Sequence, residues 1–198
     1  MTIARQSDFV QPVELLPDGR VAKVSSGFGS RGTTFHSAVD MMALWKPGDP
    51  VGHPNTDITG KYTMPAGVHA LSIADGVVGS VTYDSTRGWY VQIKHPATRW
   101  GYTSLQSGYQ HLAAPLVKVG QSVRVGQRIG VIGIGGGVRH LHFALSVNGN
   151  LIDPKPWIET WPIIRPGGTV SVGMAVFLAS SFVLLVGSIG YFVYVRSG

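Results

Sequence analysis

The stretch Arg139-His140-Leu141-His142-Phe143-Ala144-Leu145-Ser146-Val147 places the tightest limit on what this chain can fold into. Side chains of a β-strand alternate between two faces with a period of two. Leu141, Phe143, Leu145 and Val147 therefore form one apolar face that has to be covered. His140, His142, Ala144 and Ser146 form the other face, which is polar or small. The strand implies a sheet with one buried and one open side, and two imidazoles stand next to each other on the open one. A strand can present metal-binding or proton-transferring groups to a substrate in this way. Taken alone, a His-x-His pair reads more readily as two surface histidines.

The rest of the chain fits a fold of short strands. Twenty-seven glycines among 198 residues, with 13% charged residues, suit many strands and tight turns better than a helical bundle. There are no cysteines, so disulfides are excluded and any metal must sit on histidine and carboxylate. Lys and Arg number 16 against 10 Asp and Glu. The excess is scattered, without a basic run or interleaved aromatic residues, which argues against nucleic-acid binding. Its diffuse positive field suits an anionic polymer such as bacterial cell wall.

Pro17-Asp18-Gly19-Arg20 predicts a turn between Val13–Leu16 and Val21–Val24, and hence a short hairpin. Ser25 to Arg31 then lead to Phe35-His36-Ser37-Ala38-Val39-Asp40, where a histidine and an aspartate stand four apart. Both are zinc-type ligands, and small Ser37 and Ala38 let the backbone fold closely around an ion. Residues 44–67 are dense in turn formers and read as a long loop forming one wall of a substrate groove. Strands are expected over Val68–Ile73, Val77–Tyr83 and Trp89–Lys94, and His111 lies at another strand, Tyr109-Gln110-His111-Leu112. His53 and His69 read as bystanders and His95 as structural. The glycines of 133–137 lack the Gly-Lys-Ser/Thr of a phosphate loop and precede a strand instead of a helix. They are expected to let a substrate backbone approach the histidine face.

The C-terminal part changes character. No charged residue occurs from Pro166 to Val195, Trp157 and Trp161 precede the stretch, and Tyr191 and Tyr194 lie at its end. About 20 apolar residues suffice to cross a bilayer, so a membrane helix over 169–195 is expected. The expected division is an arm or hairpin over 1–24, a domain over 25–160, a linker over 161–168 and the helix.

Taken in order, Phe28-Gly29-Ser30-Arg31, Phe35–Asp40, Ala74-Asp75-Gly76-Val77-Val78, Tyr109–Leu112, Val125–Gly130 and His140–Phe143 resemble the lysostaphin-type (LytM-like) zinc endopeptidases. These enzymes cut peptidoglycan peptides, and the resemblance runs from about Val24 to Pro154. It implies an all-β fold, a small antiparallel sheet or sandwich with a zinc groove, to which the C-terminal transmembrane helix is appended. It implies zinc on His36, Asp40 and His142, with His111 and His140 as catalytic histidines. Spacing alone leaves open whether His140 or His142 is the ligand. Three protein ligands leave a fourth position open, the mark of a catalytic site. The chain departs from the family in carrying Ala144 where glutamate is usual and Ala38 where glycine is frequent. It also has a longer segment after Asp40. These departures bear on groove shape and substrate preference and remove no ligand.

The expected function is zinc-dependent hydrolysis of peptidoglycan cross-links or stem peptides. A catalytically silent wall-binding or regulatory scaffold of the same fold is the alternative. Residues 1–24 contain no apolar run free of charge, so no secretory leader is read there. Lys155 and Arg165, set against Arg196, favour a cytoplasmic side for the domain. Because the wall lies outside the cytoplasmic membrane, the expected setting is a bacteriophage virion. The lipid bilayer and other virion proteins would be partners there, in a viral membrane or entry apparatus. A bacterial envelope hydrolase is the competing setting.

Overall fold

A computed structural model describes residues 8–16, 19–43, 64–164, 170–171, 185–186 and 192–193. The expected β architecture is found. The strands are β1 (Ala22–Ser26), β2 (Gly29–Arg31), β3 (Thr34–His36), β4 (Val39–Ala43), β5 (His69–Leu71), β6 (Gly76–Asp84), β7 (Gly88–His95), β8 (Leu105–Pro115), β9 (Ser122–Val123), β10 (Arg128–Ile132), β11 (Ile134–Gly135), β12 (Val138–Arg139), β13 (Leu141–Val147) and β14 (Asn150–Ile152), followed by the single-turn helix α1 (Lys155–Ile158). The main sheet has ten strands and runs β1-β4-β13-β8-β7-β6-β9, with β10 attached to β8 and β5, and β14 to β13. Its pairs are antiparallel, as expected for strands joined by short turns.

Burial follows the alternation in the sequence. Leu141, Phe143 and Leu145 of β13 are buried, while His142 and Ala144 between them are only partly covered. On β7, Val91 and Ile93 are fully buried, and on β8 Tyr109 and Leu112 join the same core. The open side of the sheet is thus left to His142, Gln110 and Gln92, which stand on neighbouring strands.

Residues 8–16 are built into this body. Val13 bridges Ala70 of β5, the Leu71 amide donates to the Pro12 carbonyl, and the Leu15 amide donates to the Ile164 carbonyl. Phe9 lies with its ring centroid 5.3 Å from Trp161, stacked, and 4.6 Å from Trp100. The turn after Leu16 closes with the Leu16 amide donating to Arg20. Its first limb pairs with β5 and the 163–164 segment instead of with β1, which corrects the expected hairpin. Buried Glu14 fixes the arrangement, accepting from the His69 amide and Nδ1 on one oxygen and from Arg128 on the other. His69 is therefore a structural anchor for the arm.

Most of the expected membrane helix over 169–195 lies outside the described residues, as do 44–63 of the expected loop and His53 within it. The described pieces of the tail are the short strands Val170–Ser171, Leu185–Val186 and Phe192–Val193. Among the described residues no helix is long and apolar enough to cross a membrane.

His95 is the structural histidine expected from its position at the end of β7. Its Nδ1 donates to the Asp75 carbonyl, and its Nε2 accepts from Ser107 Oγ, which lies 3.0 Å from the Tyr109 hydroxyl. Burial pushes its pKa down to about 4, against a smaller opposing effect of the Asp75 carbonyl. A buried histidine stays neutral at pH values where the same residue of the unfolded chain is already charged. Between pH 6.5 and 4 the unfolded state binds more protons, so stability is complete above 6.5 and is lost as pH falls towards 4. The loss amounts to about 3 kcal/mol. Urea denaturation at pH 7 and pH 4.5 should show a markedly flatter pH dependence for His95→Gln than for the wild type. Equal slopes would contradict the burial argument.

Candidate metal centre

Strand register builds the site. Asp40 on β4 stands directly opposite His142 on β13, and His142 stands opposite Gln110 on β8. His36 ends the β2–β3 hairpin, where it pairs with Gly29. His142 Nδ1 lies 3.0 Å from Asp40 Oδ1, His36 Nε2 lies 3.2 Å from the same oxygen, and the two nitrogens are 3.2 Å apart. Donors bound at about 2.0–2.1 Å in a tetrahedron stand about 3.3–3.4 Å from one another. The three atoms already sit close to that spacing, so this donor set fits a zinc ion.

The surroundings prepare these atoms. His36 Nδ1 lies 2.7 Å from the Gly27 carbonyl, which can only accept, so Nδ1 carries the hydrogen and Nε2 keeps its lone pair for a metal. Burial works to raise the pKa of Asp40. Hydrogen bonds with His140 and His142 and the charges of His140 and His36 outweigh it and hold the carboxyl well below the usual range. Asp40 is therefore anionic at any ordinary pH.

The other two expected residues border this group. His140 is buried, its Nδ1 donates to the Val138 carbonyl at 3.1 Å, and its Nε2 lies 3.5 Å from Asp40 Oδ1. His111 packs against both, with ring centroids 4.7 Å from His140 and 5.5 Å from His142. Its Nδ1 donates to the Arg87 carbonyl at 2.8 Å. Burial pushes the His111 pKa down; the Arg87 carbonyl opposes this, while the charges of His140 and His142 reinforce it. All five expected site residues are thus gathered on the open side of one sheet.

Two features went unread in the sequence. His111 has φ of 63°, in the left-handed region, and the pairing of β8 with both β7 and β10 shifts register around it. Such a bulge re-aims a side chain that plain alternation would send inward. Room for the ring comes from Gly135, where an added Cβ would lie 2.3 Å from His111 Cγ. The space expected for a substrate at this glycine is occupied by the imidazole. The second feature is Arg31, whose guanidinium reaches Asp40.

Antiparallel strands, a three-donor centre and two adjoining imidazoles define a metallopeptidase-type fold and site. The model of peptidase family M23 matches residues 55–154, half of the chain, and the chain belongs to this family of zinc peptidases. The matched stretch holds His111, His140 and His142 but begins after His36 and Asp40. It also includes Asp57, which with His53 repeats the His-xxx-Asp spacing outside the described residues.

Peptidoglycan DD-endopeptidase ShyC of Vibrio cholerae serotype O1 is 37% identical over 105 residues, 52% of this chain and 22% of that protein. The chain thus spans about a fifth of the length of the curated relatives it matches. The antimicrobial peptidase lysostaphin from Staphylococcus simulans shares the fold with a TM-score of 0.52 at 24% identity, over 77% of this chain and 55% of that one. A chain of the SpoIIIAH and SpoIIQ complex does so as well, with a TM-score of 0.52 at 18% identity, over 75% of this chain and 99% of that one. At these identities the two likenesses show the fold alone.

Replacing Gly135 with alanine should shift the imidazole NMR resonances of His111 while leaving those of His36 and His142 in place. An unmoved His111 signal would show that the ring is not seated against this glycine.

Proposed function

We propose that this chain is a zinc-dependent endopeptidase hydrolysing peptide cross-links or stem peptides of bacterial peptidoglycan. The observation that carries the reading is the convergence of His36 Nε2, Asp40 Oδ1 and His142 Nδ1 beside two further imidazoles. In this reading His36, Asp40 and His142 hold the metal, and His111 and His140 are the catalytic histidines. Peptidoglycan as substrate is supported by the name of the Vibrio cholerae relative and by the family.

Zinc held by these donors supplies a Lewis acid that polarises the scissile carbonyl and lowers the pKa of water. The protein supplies the proton handling. With Nδ1 of His111 donating to the Arg87 carbonyl, the neutral ring keeps an acceptor lone pair at Nε2. His111, kept neutral by burial, takes the proton of the attacking water at Nε2 and passes it to the nitrogen of the departing amine. His140, held by the Val138 carbonyl and Asp40, stands beside His111 and orients the reacting groups from there.

Attachment to a bilayer through 169–195 belongs to the same proposal and rests on the uncharged, apolar sequence. Placement in a phage virion rests on the charges flanking that stretch, with the bacterial envelope as the alternative.

Purified peptidoglycan digested by the chain, with and without a chelator, should release peptide fragments only when the metal is retained, as read by mass analysis. No fragments from zinc-loaded protein would leave the scaffold reading. His142→Ala should lose both zinc and activity. His111→Ala should keep zinc and lose about 10²–10⁴-fold in turnover; unchanged turnover would remove His111 from its role.

A further inference from the structure

We infer that Arg31 is a positioning residue for the metal centre: it captures the second oxygen of Asp40, so that the carboxylate faces the ion through one oxygen only. The inference rests on the proposed metal role of Asp40. Arg31 lies at the end of β2, and the phrase Phe28-Gly29-Ser30-Arg31 has so far had no chemical part to play. Asp40 divides its two oxygens cleanly. Oδ1 faces His36, His140 and His142 at 3.2, 3.5 and 3.0 Å, whereas Oδ2 faces Arg31 Nη2 at 3.4 Å.

The donor count at Arg31 supports this assignment. Nη2 carries two hydrogens, and two oxygen acceptors lie against it: Asp40 Oδ2 and Ser26 Oγ. His36 Nδ1 also lies against Nη2; because its own hydrogen goes to Gly27 it accepts nothing from Arg31, and the two hydrogens of Nη2 are left to Ser26 and Asp40. Ser26 therefore fixes the guanidinium and the guanidinium fixes Oδ2. The local frame is stiff: β2 and β3 form a hairpin, and Phe28 meets Phe35 edge-on at 5.1 Å beside it.

The consequence is chemical. A carboxylate able to swing both oxygens onto the ion would add a fifth ligand and crowd the position that a catalytic centre keeps for water. Partners of this kind, one step removed from the metal, typically contribute 10–100-fold in metal affinity or activity. Arg31 is also the wrong residue to exchange for lysine. An ammonium is a strongly hydrated point charge on a flexible stem, and it is held in one orientation less well than the planar guanidinium.

The test uses the whole chain in mild detergent, loaded with Co²⁺ or Zn²⁺, comparing wild type, Arg31→Ala and Arg31→Lys. Arg31 is partly exposed on a short hairpin, and thermal melts of the metal-free proteins check that the variants fold. Four-coordinate Co²⁺ absorbs visible light more strongly than the five-coordinate ion. Arg31→Ala should therefore lose visible absorption at full metal occupancy, and the zinc form should lose about 10–100-fold in turnover. Arg31→Lys should show a smaller loss in both readouts. A Co²⁺ spectrum identical to wild type in Arg31→Ala would overturn the role of Arg31 while leaving the metal centre standing. Failure of the wild type to bind either ion would overturn the centre itself, and the role of Arg31 with it.

Discussion

The pairing of β4 with β13 is the constraint on which the site depends. It sets Asp40 directly across from His142, and neighbours on opposed strands stand close enough for their side chains to meet. A slip of one residue would turn every side chain of the strand to the other face. It would bring Val39 or Met41, both fully buried, into the position of Asp40. The apolar residues on either side of Asp40 therefore protect its orientation: moving the carboxylate would require exposing the core. The same holds on β13, where Leu141 and Phe143 bracket His142. Hydrophobic burial thus fixes the placement of polar donors, and the chemistry of the open face is determined from the covered one.

The β13 pattern and the two histidines on one face were legible because period-two alternation is a local property. The short strands β6 and β7 were legible for the same reason. The arm was not: nothing between Val13 and Leu16 says that the partner will be Ala70 or Ile164, since those contacts are set by how distant segments cover the sheet edge. His111 was found by resemblance, but its orientation was hidden, because a bulge depends on the register of three strands at once. Gly135 was read as making space, and it does, although the ring of His111 fills that space. Spacing left the choice between His140 and His142 open, and the resemblance selected His142. Both face Asp40, but it is the Nδ1 atom of His142 that also comes within 3.2 Å of His36.

The long segment between β4 and β5 explains why the family match starts where it does. His36 and Asp40 precede this insertion and the other site residues follow it, so an alignment that begins at residue 55 loses two donors without any loss of the site. Insertions in connections cost little, because closure entropy grows only slowly with length. The sheet tolerates the insertion because β4 is held by its neighbours β1 and β13, independently of the route the chain takes to β5.

The three donors also have a mechanical meaning. His36 and Asp40 are 106 and 102 residues from His142 along the chain. An ion shared among them would act as a cross-link in a protein without cysteines, closing a loop of that length and pinning β4 and the β2–β3 hairpin to β13 in the middle of the sheet. Ion loss in such an arrangement would unfasten the margin of the sheet first, so metal supply governs the cohesion of this domain as well as its chemistry.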